Sequence, residues 1–130
     1  MFVLDTNTLI YFFKGEGRVA ERLWATRPRD IAVPAVVVYE LHAGIAKSSH
    51  PQNRLLQLRQ FLDCTRVLPF GQDEAACAAR VLADLELRGE VIGPMDTLIA
   101  GTALAHQGTL ITRNLREFER IASLPVENWY

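Results

Sequence analysis

Apolar residues in this chain follow two alternating rhythms. Short unbroken runs at Met1 to Leu4, Ile31 to Val33, Arg66 to Phe70 and Thr109 to Thr112 read as strands, the first and last of them buried on both faces. Between them the apolar positions recur at helical spacing. The pattern predicts helices around Leu9 to Phe13, from Val19 to Trp24, from Ala35 to about Lys47, from Asn53 to Asp63, from Asp73 to about Arg88 and from Met95 to His106, with a turn and short helix over Arg113 to Arg120. Breakers fall where they should: Gly15 and Gly17 after the first helix, Pro28 after the second, Ser48 to Pro51, Gly89, and Gly108. Pro125-Val126-Glu127 adds a last edge strand. Strands alternating with helices at this interval predict a three-layer α/β domain with a central parallel sheet of four to five short strands flanked by helices.

Composition narrows this only slightly. The 130 residues, 49% hydrophobic and 22% charged, suit one domain spanning residues 1–130 with a real core. A net charge of −1 excludes a uniformly basic nucleic-acid coat. All 14 basic residues except Lys14 and Lys47 are Arg, however, the side chain that forks onto phosphate oxygens. Cys64 and Cys77 have no metal-type spacing and read as reduced core thiols of a cytoplasmic protein. No charged leader precedes the first strand, so no signal peptide is expected, and no apolar segment is long enough to span a bilayer.

Three carboxylates stand where burial makes them expensive. Asp5 ends the first strand, ahead of Thr6, Asn7 and Thr8, and alone it reads equally as a helix cap. Glu40 falls inside the most apolar helix, with no partner charge among its helical neighbours. Its plain alternative is a solvated face shared with Lys47. Asp96 follows Gly93-Pro94-Met95 at a helix mouth, where an N-cap is the ordinary role. A parallel sheet brings all three to one edge. Two carboxylates about 4 Å apart repel by roughly 4 kcal/mol at an effective dielectric of 20, so such a cluster needs shared protons or a cation. Oxygen donors without His or Cys nearby point to Mg²⁺ or Mn²⁺, ions suited to phosphodiester hydrolysis.

With these in place, four segments resemble the motifs of PIN-domain ribonucleases, specifically VapC-type toxins. They are Leu4-Asp5-Thr6-Asn7; Tyr39-Glu40-Leu41 with Gly44; Gly93-Pro94-Met95-Asp96-Thr97-Leu98-Ile99-Ala100; and Leu110-Ile111-Thr112-Arg113-Asn114-Leu115-Arg116-Glu117-Phe118. The order runs through the chain to a Val126-Glu127-Asn128-Trp129 ending common in that group. The resemblance implies a Mg²⁺-dependent endoribonuclease, the toxin of a type II toxin–antitoxin pair, forming a homodimer and inhibited by a VapB-like antitoxin. It implies cleavage of structured RNA, with relatives of this style acting on the anticodon stem-loop of initiator tRNA. Asp5, Asp96 and Glu40 are then the metal-binding and catalytic acids, supported by Asn7 and Thr112.

One position departs from the family pattern. Many PIN domains carry Asp where this chain has Asn114, so a fourth carboxylate comes from Glu117, from Glu119, or is lacking. Arg113, Arg116 and Arg120 are the candidates for RNA phosphate contacts, unless they only pair with those two glutamates. Tyr11, Phe12, Phe13, Leu23 and Trp24, with the Leu55 to Leu62 helix, serve either as core or as a surface for an antitoxin helix or a second copy. A catalytically silent PIN scaffold that binds RNA or a partner is the main alternative. A haloacid-dehalogenase-type phosphatase wants an acid where Asn7 stands, and a receiver-like domain wants an Asp near Phe70-Gly71 and a Lys in the Lys-free C-terminal half.

Overall fold

The computed structural model describes all residues 1–130. Strands β1 (Phe2–Leu4), β2 (Ile31–Pro34), β3 (Arg66–Leu68), β4 (Thr109–Ile111) and β5 (Val126–Glu127) form one sheet in the order β3-β2-β1-β4-β5, every neighbouring pair parallel. Helices α1 (Thr6–Lys14), α2 (Val19–Trp24), α3 (Ala35–Ala46), α4 (Pro51–Asp63), α5 (Gln72–Arg88), α6 (Pro94–Ala105) and α7 (Leu115–Phe118) supply the crossovers and flanks. A short 3₁₀ turn at Pro28–Asp30 leads into β2.

Successive strand residues point to opposite faces, and Val3, Leu4, Ala32, Val33, Leu110 and Ile111 are all fully buried. Both faces of the sheet are therefore covered, as the unbroken apolar runs require. Register pairs Phe2 with Ile31 on one side and with Thr109 on the other. The chain winds from β1 through β2 to β3, then crosses back to place β4 and β5 on the far side of β1. That reversal puts a topological switch at the carboxyl ends of β1 and β4, where open α/β sheets leave a crevice.

Helix boundaries shift for local reasons. Pro51 and Pro94 take first-turn positions, where a missing N–H costs nothing, so α4 and α6 begin ahead of the expected Asn53 and Met95. Gly15 and Gly89 close α1 and α5 in left-handed conformation. α5 and α6 pack backbone to backbone: a Cβ on Gly101 would lie 2.5 Å from Ala78.

Two expectations change. Neither cysteine belongs to the core, since Cys64 is exposed just beyond α4 and Cys77 is only half-buried on α5, although both are free thiols. The N-terminal apolar group divides between the two roles offered for it. Leu23 is buried and Tyr11, Phe12 and Phe13 are partly so, but Trp24 is 83% exposed. In α4, Leu58 is buried whereas Leu55 and Leu56 face outward. No helix is long and apolar enough to cross a membrane.

Candidate active site

The crevice is built from the first turn outward. Asp5 leaves β1 in extended conformation (φ −80°, ψ 172°) and caps α1, its Oδ1 accepting from the Thr8 N–H at 2.8 Å. The cap reading thus holds, and it occupies one carboxylate oxygen. Thr8 Oγ1 donates to the Ile111 carbonyl at 3.0 Å, and the Asp5 N–H reaches the same carbonyl at 3.1 Å. The start of α1 is in this way fastened to the end of β4, which fixes Asp5 at the switch point.

Glu40 arrives from α3. It is half-buried, and its Oε1 accepts from Thr6 Oγ1 at 2.6 Å. The partner that its own helix does not provide comes from α1, so the side chain is turned inward and not toward Lys47. Asp96 lies in the first turn of α6, but Gly93 occupies the N-cap position, leaving the Asp96 carboxylate free of capping duty. From the β4–α7 connection, Asn114 Nδ2 donates to Glu117 Oε2 at 3.1 Å, while the Asn114 N–H bonds Thr112 Oγ1 at 3.0 Å.

Electrostatics tie these pieces together. Burial pushes the Asp5 carboxyl above its ordinary range, hydrogen bonds from Thr112 and Thr8 hold it back, and the charge of Glu40 adds to the rise. Asp96 is pushed up to about 6, first by desolvation and then by the negative charges of Asp5, Glu117 and Glu40. Asp5, Glu40 and Glu117 are thus close enough for their charges to act on Asp96, and none of the four takes part in an ion pair. Glu119 points outward and adds nothing to this field.

No three acidic, histidine or cysteine side chains close around a single point as an all-protein cage would. The donor set nevertheless fits Mg²⁺ or Mn²⁺, which keep most of their waters and lean on one or two carboxylates. Asp5 and Asp96 would be the carboxylates to hold such an ion, with the charges of Glu40 and Glu117 acting on Asp96.

The sequence carries the PIN domain signature over residues 2–124. The chain belongs to the PIN-domain family, in its VapC branch. It is 31% identical over 128 residues, spanning 98% of this chain and 97% of the relative, to the tRNA(fMet)-specific endonuclease VapC of Salmonella typhimurium. It is 32% identical over 128 residues, with the same two shares, to the ribonuclease VapC2 of Haemophilus influenzae strain Rd. Among solved structures, the Rickettsia felis VapBC2 complex bound to a promoter DNA fragment matches with a TM-score of 0.92 at 31% identity, covering 99% of this chain and 98% of that one. DNA-bound VapBC of Salmonella typhimurium matches with a TM-score of 0.92 at 33% identity and the same coverage.

In this VapC-type domain the three arginines separate. Arg120 directs its Nη1 to the carbonyls of Glu90 and Val91 at 3.4 and 3.3 Å, a structural task away from the acids. Arg113 and Arg116 are exposed and form no ion pair, with Glu117 and Glu119 included. Asn7 is exposed on the first turn of α1, and Thr112 is fully buried between Asp5 and Asn114. Thr6 and Thr8, which the sequence offers only as capping side chains after Asp5, reach farther than a cap, to Glu40 and to the Ile111 carbonyl. The only signal for them is a run of hydroxyl residues straight after a strand-ending acid.

Proposed function

We propose that this chain is a Mg²⁺-dependent endoribonuclease, the toxin of a type II toxin–antitoxin pair, which hydrolyses phosphodiester bonds in structured RNA. The observation that carries the reading is the crevice in which burial first, and then the negative charges of Asp5, Glu117 and Glu40, push the Asp96 carboxyl up to about 6, with none of these acids in an ion pair. Asp5 and Asp96 would hold the ion, and a bound Mg²⁺ polarises a phosphoryl oxygen and lowers the pKa of water. Glu40, fixed by Thr6, accepts the proton of the water that attacks phosphorus in line. Glu117, oriented by Asn114, supplies the fourth carboxylate, so that Asn114 acts through its amide and not as an acid. Asn7 and Thr112 line the approach and the floor. Arg113 and Arg116 meet the RNA backbone.

The relatives' names support the substrate class. One is a tRNA(fMet)-specific endonuclease, and the anticodon stem-loop of initiator tRNA is accordingly the first RNA to try. Solved relatives are VapBC complexes. A VapB-like antitoxin segment would find a candidate seat in a groove of about 260 Å³ whose lining includes Ile10, Phe13, Leu41, Ile45, Arg54 and Glu40. A segment seated there would lie against Glu40, one of the four acids. A homodimer belongs to the same reading, and light scattering on the purified chain tests it.

The deciding experiment incubates purified protein with end-labelled tRNA in Mg²⁺ and in EDTA. Cleavage at a defined position, lost on chelation and in Asp96→Asn, is expected. Intact RNA under both conditions leaves the silent-scaffold alternative.

A further inference from the structure

Arg113 follows Thr112, whose hydroxyl accepts from the Asn114 N–H and helps hold down the Asp5 carboxyl, and precedes Asn114, whose amide donates to Glu117. Its guanidinium carbon lies 3.6 Å from the centre of the Tyr130 ring and 5.6 Å from that of Tyr11. The two rings meet edge to face, 4.8 Å apart at 75°. Among the arginine side-chain hydrogen bonds of the chain, Arg113 makes none, and it is in no ion pair. The rings hold the cation, and its donors are spare.

Tyr130 is itself seated with care. Its carbonyl accepts from the Arg18 N–H at 2.9 Å, and its own N–H bonds Asn128 Oδ1 at 2.9 Å. The α1–α2 turn passes so close beneath the ring that a Cβ on Gly17 would stand 2.8 Å from it, and Gly17 has φ of +64°, a conformation that glycine adopts without strain. Three distant segments, α1, its following turn and the residues after β5, thus converge on one arginine that lies in the chain between Thr112 and Asn114.

A guanidinium lying over an aromatic ring keeps its N–H edge for a ligand, and that fork matches two phosphate oxygens. We propose that Tyr130 and Tyr11 are positioning residues that hold the Arg113 guanidinium in one orientation and present it to an RNA backbone phosphate flanking the scissile one. The proposal rests on the ribonuclease reading above. It adds a function for two tyrosines that touch neither the acids nor the reacting phosphate.

The test compares Tyr130→Phe, Tyr130→Leu, Arg113→Lys and Arg113→Ala with the wild type. Two readouts are used: kcat and KM for tRNA cleavage in Mg²⁺, and anisotropy of a fluorescent anticodon-hairpin RNA in EDTA across a salt series. Tyr130→Phe keeps the ring and should match wild type in both. Tyr130→Leu should raise KM and the hairpin Kd about tenfold with kcat within twofold, and reduce the slope of log K against log salt by about one, as Arg113→Ala does. Arg113→Lys, which keeps the charge without the planar stack and leaves the fold untouched, should fall with Arg113→Ala. The Tyr130→Leu/Arg113→Ala double variant should be no worse than Arg113→Ala alone.

Wild-type binding by Arg113→Lys, an unchanged salt slope in Tyr130→Leu, or additive losses in the double variant would each overturn the role. A wild type that binds and cuts RNA while these variants do likewise removes this role alone. A wild type that neither binds nor cuts removes the ribonuclease reading with it.

Discussion

Thr6 and Glu40, 34 positions apart, are joined by a 2.6 Å hydrogen bond in which the Thr6 hydroxyl donates to the carboxylate. This single contact turns an acid on the most apolar helix into the pocket and ties α3 to the first turn of α1. A hydrogen bond to a charged group contributes on the order of 2 kcal/mol. Thr6→Val should therefore lower kcat for RNA cleavage by about tenfold or more, and Thr6→Ser should restore it. Single-turnover cleavage of the same RNA by the three proteins checks this.

Asp5 has two tasks that one pair of substitutions separates. Asn keeps an oxygen for the Thr8 N–H, whereas Ala does not. Both variants should lose cleavage by more than about a hundredfold, since neither carries the charge. In thermal unfolding, Asp5→Asn should be at least as stable as wild type at neutral pH, because it removes a buried charge whose ionisation opposes folding. Asp5→Ala should fall about 1 kcal/mol below Asp5→Asn through loss of the cap.

The raised pKa of Asp96 has a sign that can be worked through. Its folded value of about 6 lies above the ordinary 3.8, so the folded chain binds more protons than the unfolded one between those values. Metal-free protein should then lose stability as pH climbs from 4 to above 6, by on the order of 1 kcal/mol from this half-exposed group after solvent screening. Mg²⁺ should restore it at pH 7.5, by about 2.7 kcal/mol at a hundred times its Kd. At pH 5, where Asp96 holds its proton, the restoration should shrink. Asp96→Asn should flatten the pH dependence and abolish the Mg²⁺ response in calorimetry.

Two glycines in helices should respond oppositely to the same change. A Cβ on Gly101 would meet the Ala78 backbone at 2.5 Å, so Gly101→Ala should destabilise by about 1–3 kcal/mol as α5 is forced away from α6. Gly44 on α3 has nothing within 4 Å. Gly44→Ala should stabilise by roughly 0.5–1 kcal/mol through helix propensity alone. Urea midpoints distinguish the two.

Much of this was legible in the residues because period and position are local properties. The unbroken runs around Val3, Val33 and Leu110 read as strands covered on both sides, and Asp5 at a strand end and Asp96 at a helix mouth fall at one edge if those strands are parallel, with Glu40 on the helix that follows β2. What stayed hidden depends on contacts between distant segments. That Thr6 would find Glu40, that Tyr130 would lie over Arg113, or that Arg120 would spend its donors on the Glu90 and Val91 carbonyls follows from the packed chain and from no spacing. The exposure of the thiols is illegible in the sequence for a related reason. A cysteine is usually buried, but Cys64 follows directly on the last residue of a helix, where the chain turns through solvent.

The central place of β1 has a consequence for how the protein is made. β1 gains β2 as a neighbour from residues that follow it closely, but its other edge stays bare until Thr109–Ile111 has been made. Thr112, Asn114 and Glu117 come after that strand, so a chain stalled before them has neither a complete sheet nor the groups that act on Asp5 and Asp96. A fragment truncated before Thr109 should therefore neither close its sheet around β1 nor cleave RNA.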